Sequence, residues 1–261
     1  MSIRNTPFAE GEYYHVYSRG VEKRKIFLDD KDHKRFVALL YSANSDTPVH
    51  LSNYQGKALL DIPRGGPLVS IGAWCLMPNH FHLLLKETRK SGISAFMQKL
   101  LTGYSMYFNK KYIRSGSLFG RKFNAKHLSS DRYLKYQYTY IHLNPIGITD
   151  GGWKDRKLLS KNTAKKFIMT YPYSSYIDYI GKEREEDVLL QKADFPRYFE
   201  TATDFKRMLD EWIEHRELSC NIKALPCCGT RGVGRRICLI LLVCGVAVIS
   251  RPCLALRGLR S

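Results

Sequence analysis

Apolar and polar positions along the first 150 residues alternate between the period of a strand and that of a helix. Glu12 to Arg19 is a short aromatic and β-branched run ending at Gly20, the pattern of a strand meeting a turn. Asp29 to Ala43 carries Phe36, Leu39, Leu40 and Ala43 at helical spacing behind Asp29 or Asp30 as a cap, which predicts a helix. Asn44 to Gly66 is rich in Pro, Gly, Asn, Ser and Asp without a clear period and reads as irregular. Leu68 to Met77 and His80 to Lys86 are apolar runs around Pro78-Asn79, the pattern of two antiparallel strands joined tightly. Ile93 to Tyr112 is a helix with Phe96, Met97, Leu100, Leu101, Tyr104, Tyr107 and Phe108 on one face. Ser117 to Leu128 reads as a fourth strand, and Ser130-Asp131 caps a last helix running through Asn144, closed by Pro145 and Gly147.

The order β-α-β-β-α-β followed by a helix predicts an α+β domain over residues 8–150. Its expected form is a ferredoxin-like antiparallel sheet with helices on one face and a further helix after the last strand. Residues 151–221 form an accessory helical region: a polar basic stretch from Lys154 to Lys166, the segment Tyr171 to Gly181, and an amphipathic helix from Asp204 to Glu217 with Phe205, Met208, Leu209 and Trp212 inward. Residues 222–261 form a Cys-rich basic tail that is not expected to belong to the folded enzyme. Its apolar run from Ile237 to Ile249 is shorter than the roughly 20 residues a membrane helix needs, so no stable membrane insertion is expected.

Charge narrows the partners. The 261 residues carry 42 Lys and Arg against 24 Asp and Glu, a net of +18. Seven of the basic residues and none of the acids lie in 222–261, which leaves 35 basic and 24 acidic residues, or +11, in the body. With 44% apolar and 12% aromatic residues the chain can build a core, so a disordered basic tail protein is excluded. Nucleic acid is the leading partner and an anionic membrane surface the second. Six of the seven cysteines lie between 220 and 253, leaving Cys75 alone in the body. That distribution, with no secretory signal at the start, points to a reducing, cytoplasmic setting. The tail cysteines show no repeated C-x₂-C spacing of a zinc module. The abrupt break in composition reads as a shifted or run-on gene end, and deleting residues 222–261 is expected to leave the folding and activity of the body intact.

The chemistry rests on two short patterns. His80-Phe81-His82 on a strand sends both imidazoles to one face. Tyr140 and Asn144 stand one helical turn apart, so a phenol and a carboxamide share a side. If the helix crosses the histidine face, two imidazoles and an amide oxygen make an open three-ligand site beside a phenol. Tyrosine is a poor nucleophile at neutral pH, its pKa being about 10, and a divalent cation on a phosphodiester would make the phosphorus more electrophilic. Mg²⁺ or Mn²⁺ suits the mixed donors, with Zn²⁺ as an adventitious occupant. Spacing alone leaves Tyr136 nearly level with Tyr140, and Tyr104 is a further alternate. His15 and His142 either line the site or fill structural positions. Arg19, Lys110, Lys111, Arg114, Arg121, Lys122 and Lys126 are the candidate phosphate contacts.

Met77-Pro-Asn-His-Phe-His-Leu-Leu-Leu85, Tyr140-Ile-His-Leu-Asn-Pro145, Leu118-Phe-Gly-Arg-Lys-Phe123 and Tyr14-His-Val-Tyr-Ser-Arg-Gly20 resemble the single-tyrosine HUH transposases. The nearest branch is that associated with repetitive extragenic palindromes, and the likeness extends over residues 8 to 181. It implies a ferredoxin-like nuclease, usually a homodimer, that binds a DNA hairpin and cleaves adjacent single-stranded DNA through a 5′-phosphotyrosine link. Carried over by position, it implies Tyr140 as nucleophile, His80 and His82 as the paired metal ligands, and Asn144 as the third. The rival expectation is a non-catalytic protein on the same scaffold that binds hairpin DNA or RNA.

Overall fold

The computed structural model describes residues 7–54, 56–120, 122–153 and 160–214. Four strands, β1 (Tyr13–Arg19), β2 (Val69–Met77), β3 (His80–Glu87) and β4 (Asn124–His127), form one sheet in the order β2-β3-β1-β4. Each neighbouring pair is antiparallel. The β2–β3 connection is the two-residue turn Pro78-Asn79, pinned from outside by Ile26 N–H donating to Pro78 O (2.8 Å) and Gly20 N–H to Asn79 O (3.0 Å). The chain is therefore α+β, built on a four-stranded antiparallel sheet.

Alternation along β3 gives the sheet two different faces. Phe81, Leu83 and Leu85 point to one side and pack with Phe36 and Leu40 of α1 (Asp30–Ser42) and Phe96, Leu100 and Tyr104 of α2 (Gly92–Lys111). Helix α1 starts where expected because Asp29 accepts from Asp32 N–H while the Asp32 carboxylate accepts from Asp29 N–H, a reciprocal cap. Asp32 is fully buried and also accepts from Lys111 (2.7 Å), Tyr107 and Tyr112, which ties α2 to α1. Burial pushes the Asp32 carboxyl up, and the Lys111 ammonium with the N–H of Leu28 and the two phenols brings it below the ordinary carboxylate range.

Helices α1 and α2 thus share one face, and the further helix after the last strand covers the other. Helix α3 (Asp131–Leu143), capped by the Ser130 hydroxyl, lies on the opposite face, where Leu134, Tyr138 and Ile141 pack with Ala73, Cys75 and Leu84. Those three sheet residues are 0% exposed and leave a surface too apolar to face water. The short α4 (Ile146–Thr149) follows Pro145 directly, so the proline ends α3 without ending helical structure. The fourth strand is shorter than expected. Leu118 and Phe119 are buried side by side instead of alternating, and the segment meets the sheet through the bridge Gly20–Phe119 and the packing of Phe119 on Phe81, with ladder pairing beginning at Asn124.

Helices α5 (Lys161–Thr170), α6 (Tyr176–Tyr179) and α7 (Ala202–Glu214) complete the second core with Ile168, Tyr176, Phe205 and Leu209. The helix expected to reach Glu217 is described to Glu214. The β2 edge is taken up by this region: Leu76 N–H donates to Tyr173 O (2.8 Å), Ser175 N–H to Trp74 O (2.9 Å) and Gln191 N–H to Ile71 O (3.0 Å). At the irregularity between Ile71 and Ala73 the Phe195 ring lies where a Cβ on Gly72 would stand, 2.6 Å away, so the position requires glycine. Asp178, its side chain fully buried, is held bidentately by Arg184 (2.6 and 2.7 Å), which also donates to Pro172 O and Ser174 O. Arg184→Ala would strand that carboxylate and detach the loop from the sheet edge. It is expected to lower stability by roughly 3 kcal/mol, read as the shift of a denaturant midpoint. Residues 1–217 form one compact unit; the other, 218–261, lies outside the described residues, and with it the tail.

Candidate functional site

Directly opposed residues in an antiparallel pair share a face, so strand register fixes what stands beside the two histidines. His82 faces Tyr17 on β1 and Cys75 on β2, and Tyr17 in turn faces Asn124 on β4. His80 faces Arg19 and Met77. One step the other way, His15 faces Leu84 and Lys126. The face beneath α3 thus carries His15, Tyr17, Arg19, His80, His82 and Lys126 together.

Contacts among these side chains are close. The rings of His80 and His82 are 4.9 Å apart and nearly perpendicular. His82 Nδ1 lies 2.8 Å from His15 Nε2, with both residues buried. His80 Nδ1 lies 2.6 Å from Asn79 Oδ1. Helix α3 brings the Tyr140 ring edge-on to both His82 (5.6 Å) and His15 (5.7 Å). Tyr140 is half-buried, while Asn144, one turn on, is 1% exposed and donates its Nδ2 to Tyr140 O (2.7 Å), which leaves Oδ1 as the atom suited to a cation.

The alternates occupy different surroundings. Tyr136 lies beside Tyr140 (6.1 Å between rings) and about as far from Trp212 of α7 (6.3 Å). Tyr104 is fully buried in the core on the opposite face, and its hydroxyl donates to Ile26 O. His142 turns away from the site. It is completely buried, its Nδ1 donates to Tyr138 O and its Nε2 accepts from the Ser175 hydroxyl, both at 2.7 Å, and burial pushes its pKa down to about 3. His15, by contrast, touches His82, a role that sequence spacing within one strand cannot reveal. Gln137 went unnoticed altogether. It is 5% exposed on the same side of α3 as Tyr133, Tyr140 and Asn144, and its Nε2 has no hydrogen-bond partner among the described residues.

The basic candidates fall into separate groups. Arg19 and Lys126 are exposed on the histidine face, the latter over the Tyr133 ring at 5.4 Å, and Lys122 is exposed just before β4. Lys110, Lys111 and Arg114 lie at the end of α2, on the far side of the sheet. There Lys111 is held by Asp29 and Asp32, and Arg114 donates to Asn109 Oδ1. Arg121 lies outside the described residues.

Among the described residues no three His, Cys, Asp or Glu side chains are placed to hold a metal. The candidate donor set is two imidazoles and one carboxamide, uncharged in total. It fits a divalent cation that brings part of its binding from an anionic substrate.

Residues 68–144 match the family Transposase IS200 like. The matched segment runs from β2 to the end of α3 and contains His80, His82, Tyr140 and Asn144. Among solved structures, the REP-associated tyrosine transposase bound to a REP hairpin is similar over 71% of this chain and 90% of that one, with 12% identity and a TM-score of 0.46. No curated protein matches the chain. Among the described residues, no helix is long and apolar enough to cross a membrane.

Proposed function

We propose that this protein is a metal-dependent, single-tyrosine DNA strand transferase on a ferredoxin-like scaffold, acting on single-stranded DNA next to a hairpin. The observation that carries the reading is the edge-on packing of the Tyr140 ring against His82, within a segment that matches a transposase family. Tyr140 Oη attacks the phosphorus, an Oη–P bond forms, the P–O3′ bond breaks, and the phenol proton is released as the 3′ oxygen takes one up. The product is a 5′-phosphotyrosine and a free 3′ hydroxyl, so the phosphodiester energy is kept for rejoining. Mg²⁺ or Mn²⁺ held by His80, His82 and Asn144 Oδ1 would offset charge on a non-bridging oxygen in the transition state. Arg19 and Lys126 flank the histidines and are placed to hold the strand by its phosphates. The other basic candidates, Lys110, Lys111, Arg114, Arg121 and Lys122, are retained as weaker contacts, Lys111 least because its ammonium serves Asp29 and Asp32. A homodimer, which the family resemblance suggests, has to form away from the β2 edge, since residues 173–175 and 191 occupy it.

The test is incubation with a hairpin carrying a single-stranded extension and Mn²⁺ or Mg²⁺. A covalent adduct that EDTA suppresses supports the reading. Salt-sensitive hairpin binding that ignores EDTA and never gives an adduct would replace it with a non-catalytic binding protein.

A further inference from the structure

We infer that His15 and Asn79 are positioning residues that fix both site histidines as Nδ1–H imidazoles, so that His80 and His82 each present Nε2 to the cation. The cation, and with it the direction of the His82–His15 hydrogen bond, rests on the function proposed above; the direction of the His80–Asn79 bond rests on this structure.

Asn79 settles the first case. Its Nδ2 donates to Lys23 O (3.2 Å), which identifies the nitrogen end of the carboxamide, and its Oδ1 then lies 2.6 Å from His80 Nδ1. An amide oxygen only accepts, so His80 Nδ1 carries the hydrogen. Asn79 is itself held in the β2–β3 turn, whose carbonyls accept from Gly20, Ile26 and Phe27. The anchor therefore belongs to the sheet and not to the helix above it.

His82 has two arrangements. The 2.8 Å separation from His15 Nε2 means that one hydrogen lies between two ring nitrogens. If His15 supplies it, the neutral His82 accepts through Nδ1 and carries its own hydrogen on Nε2, so neither nitrogen can ligate. If His82 supplies it from Nδ1, Nε2 keeps its lone pair and His15 carries its hydrogen on Nδ1. Only the second arrangement makes His82 a ligand. The two rings meet edge to edge and close to coplanar (centroids 5.0 Å, 22°), as an in-plane hydrogen bond between ring nitrogens requires, and both histidines are at most 6% exposed. A ligating histidine commonly has its other ring nitrogen bonded in this way, and loss of such a partner costs roughly 10- to 100-fold in metal affinity.

Imidazole ¹⁵N shifts of the metal-free protein read the hydrogen positions without requiring turnover. His80 and His82 are expected as Nδ1–H forms, and His15 as an acceptor at Nε2. In calorimetry with Mn²⁺, His15→Phe and Asn79→Ala are expected to bind at least about tenfold more weakly, while His15→Gln, whose amide oxygen can accept the same hydrogen, stays within about threefold of the wild type. Hairpin DNA affinity of all three variants should be unchanged, which controls for folding. His82 found with its hydrogen on Nε2, or His15→Phe binding Mn²⁺ as tightly as the wild type, would overturn the inference. Wild-type protein with the expected hydrogen positions but no Mn²⁺ binding would instead overturn the proposed function, and the ligand role with it.

Discussion

Tyr140→Phe is expected to abolish the covalent protein–DNA adduct while leaving hairpin affinity within about twofold of the wild type, because only a nucleophile is lost. Phenylalanine keeps the ring edge that packs against His15 and His82, so the sheet and helix below it need not move. The neighbouring phenols are not expected to substitute, Tyr17 being fixed on the sheet beside His82 and not on α3. Tyr138 is 2% exposed and its hydroxyl is pushed up by burial, Tyr104 is in the other core, and Tyr136 stands one turn before Tyr140, between it and Trp212. The measurement is adduct yield on a denaturing gel with a labelled 5′ product strand. Normal yield from Tyr140→Phe would mean that the face beneath α3 is not the site of cleavage.

His80→Ala combined with His82→Ala is expected to slow adduct formation on the order of 10²-fold or more and to remove its dependence on Mn²⁺ or Mg²⁺. Stabilising charge on the reacting phosphate is commonly worth about 3 kcal/mol, and each 1.36 kcal/mol of barrier is a factor of ten in rate. Hairpin affinity should persist, since duplex binding draws on backbone charge and not on the imidazoles. A double variant that cleaves at the wild-type rate, or keeps its response to EDTA, would place the cation elsewhere.

The elements that were legible in the sequence are those whose local signals agree with their surroundings. The β2–β3 pair was readable from two apolar runs around Pro78-Asn79, and the start of α1 from Asp29 because capping is local chemistry. The fourth strand was read too long because Leu118 and Phe119 are apolar for a different reason: both are buried by packing against the first core. The closing of the β2 edge was hidden because it depends on residues 173–191 folding back onto β2, a long-range event announced by no local period.

The candidate site divides the same way. His80, His82, Tyr140 and Asn144 were found from spacing within single elements together with the resemblance of their motifs. Arg19 and Lys126 were found by charge alone, and only the register beside His80 and His15 shows that they belong to the same face. Lys111 carries the same charge but is held by two carboxylates across the α1–α2 contact, which no composition can tell. His15 lies 67 positions from His82 in the chain, so its contact required the sheet itself.

The central claim is that Tyr140 becomes bonded to DNA beside the His80–His82 pair. Trapping the wild-type adduct with Mn²⁺, digesting it with trypsin and nuclease, and locating the nucleotide-modified residue by mass spectrometry tests this directly. The expected result is a single phosphonucleotide on Tyr140; modification of Tyr136 or any other residue, or no modified peptide at all, would contradict it.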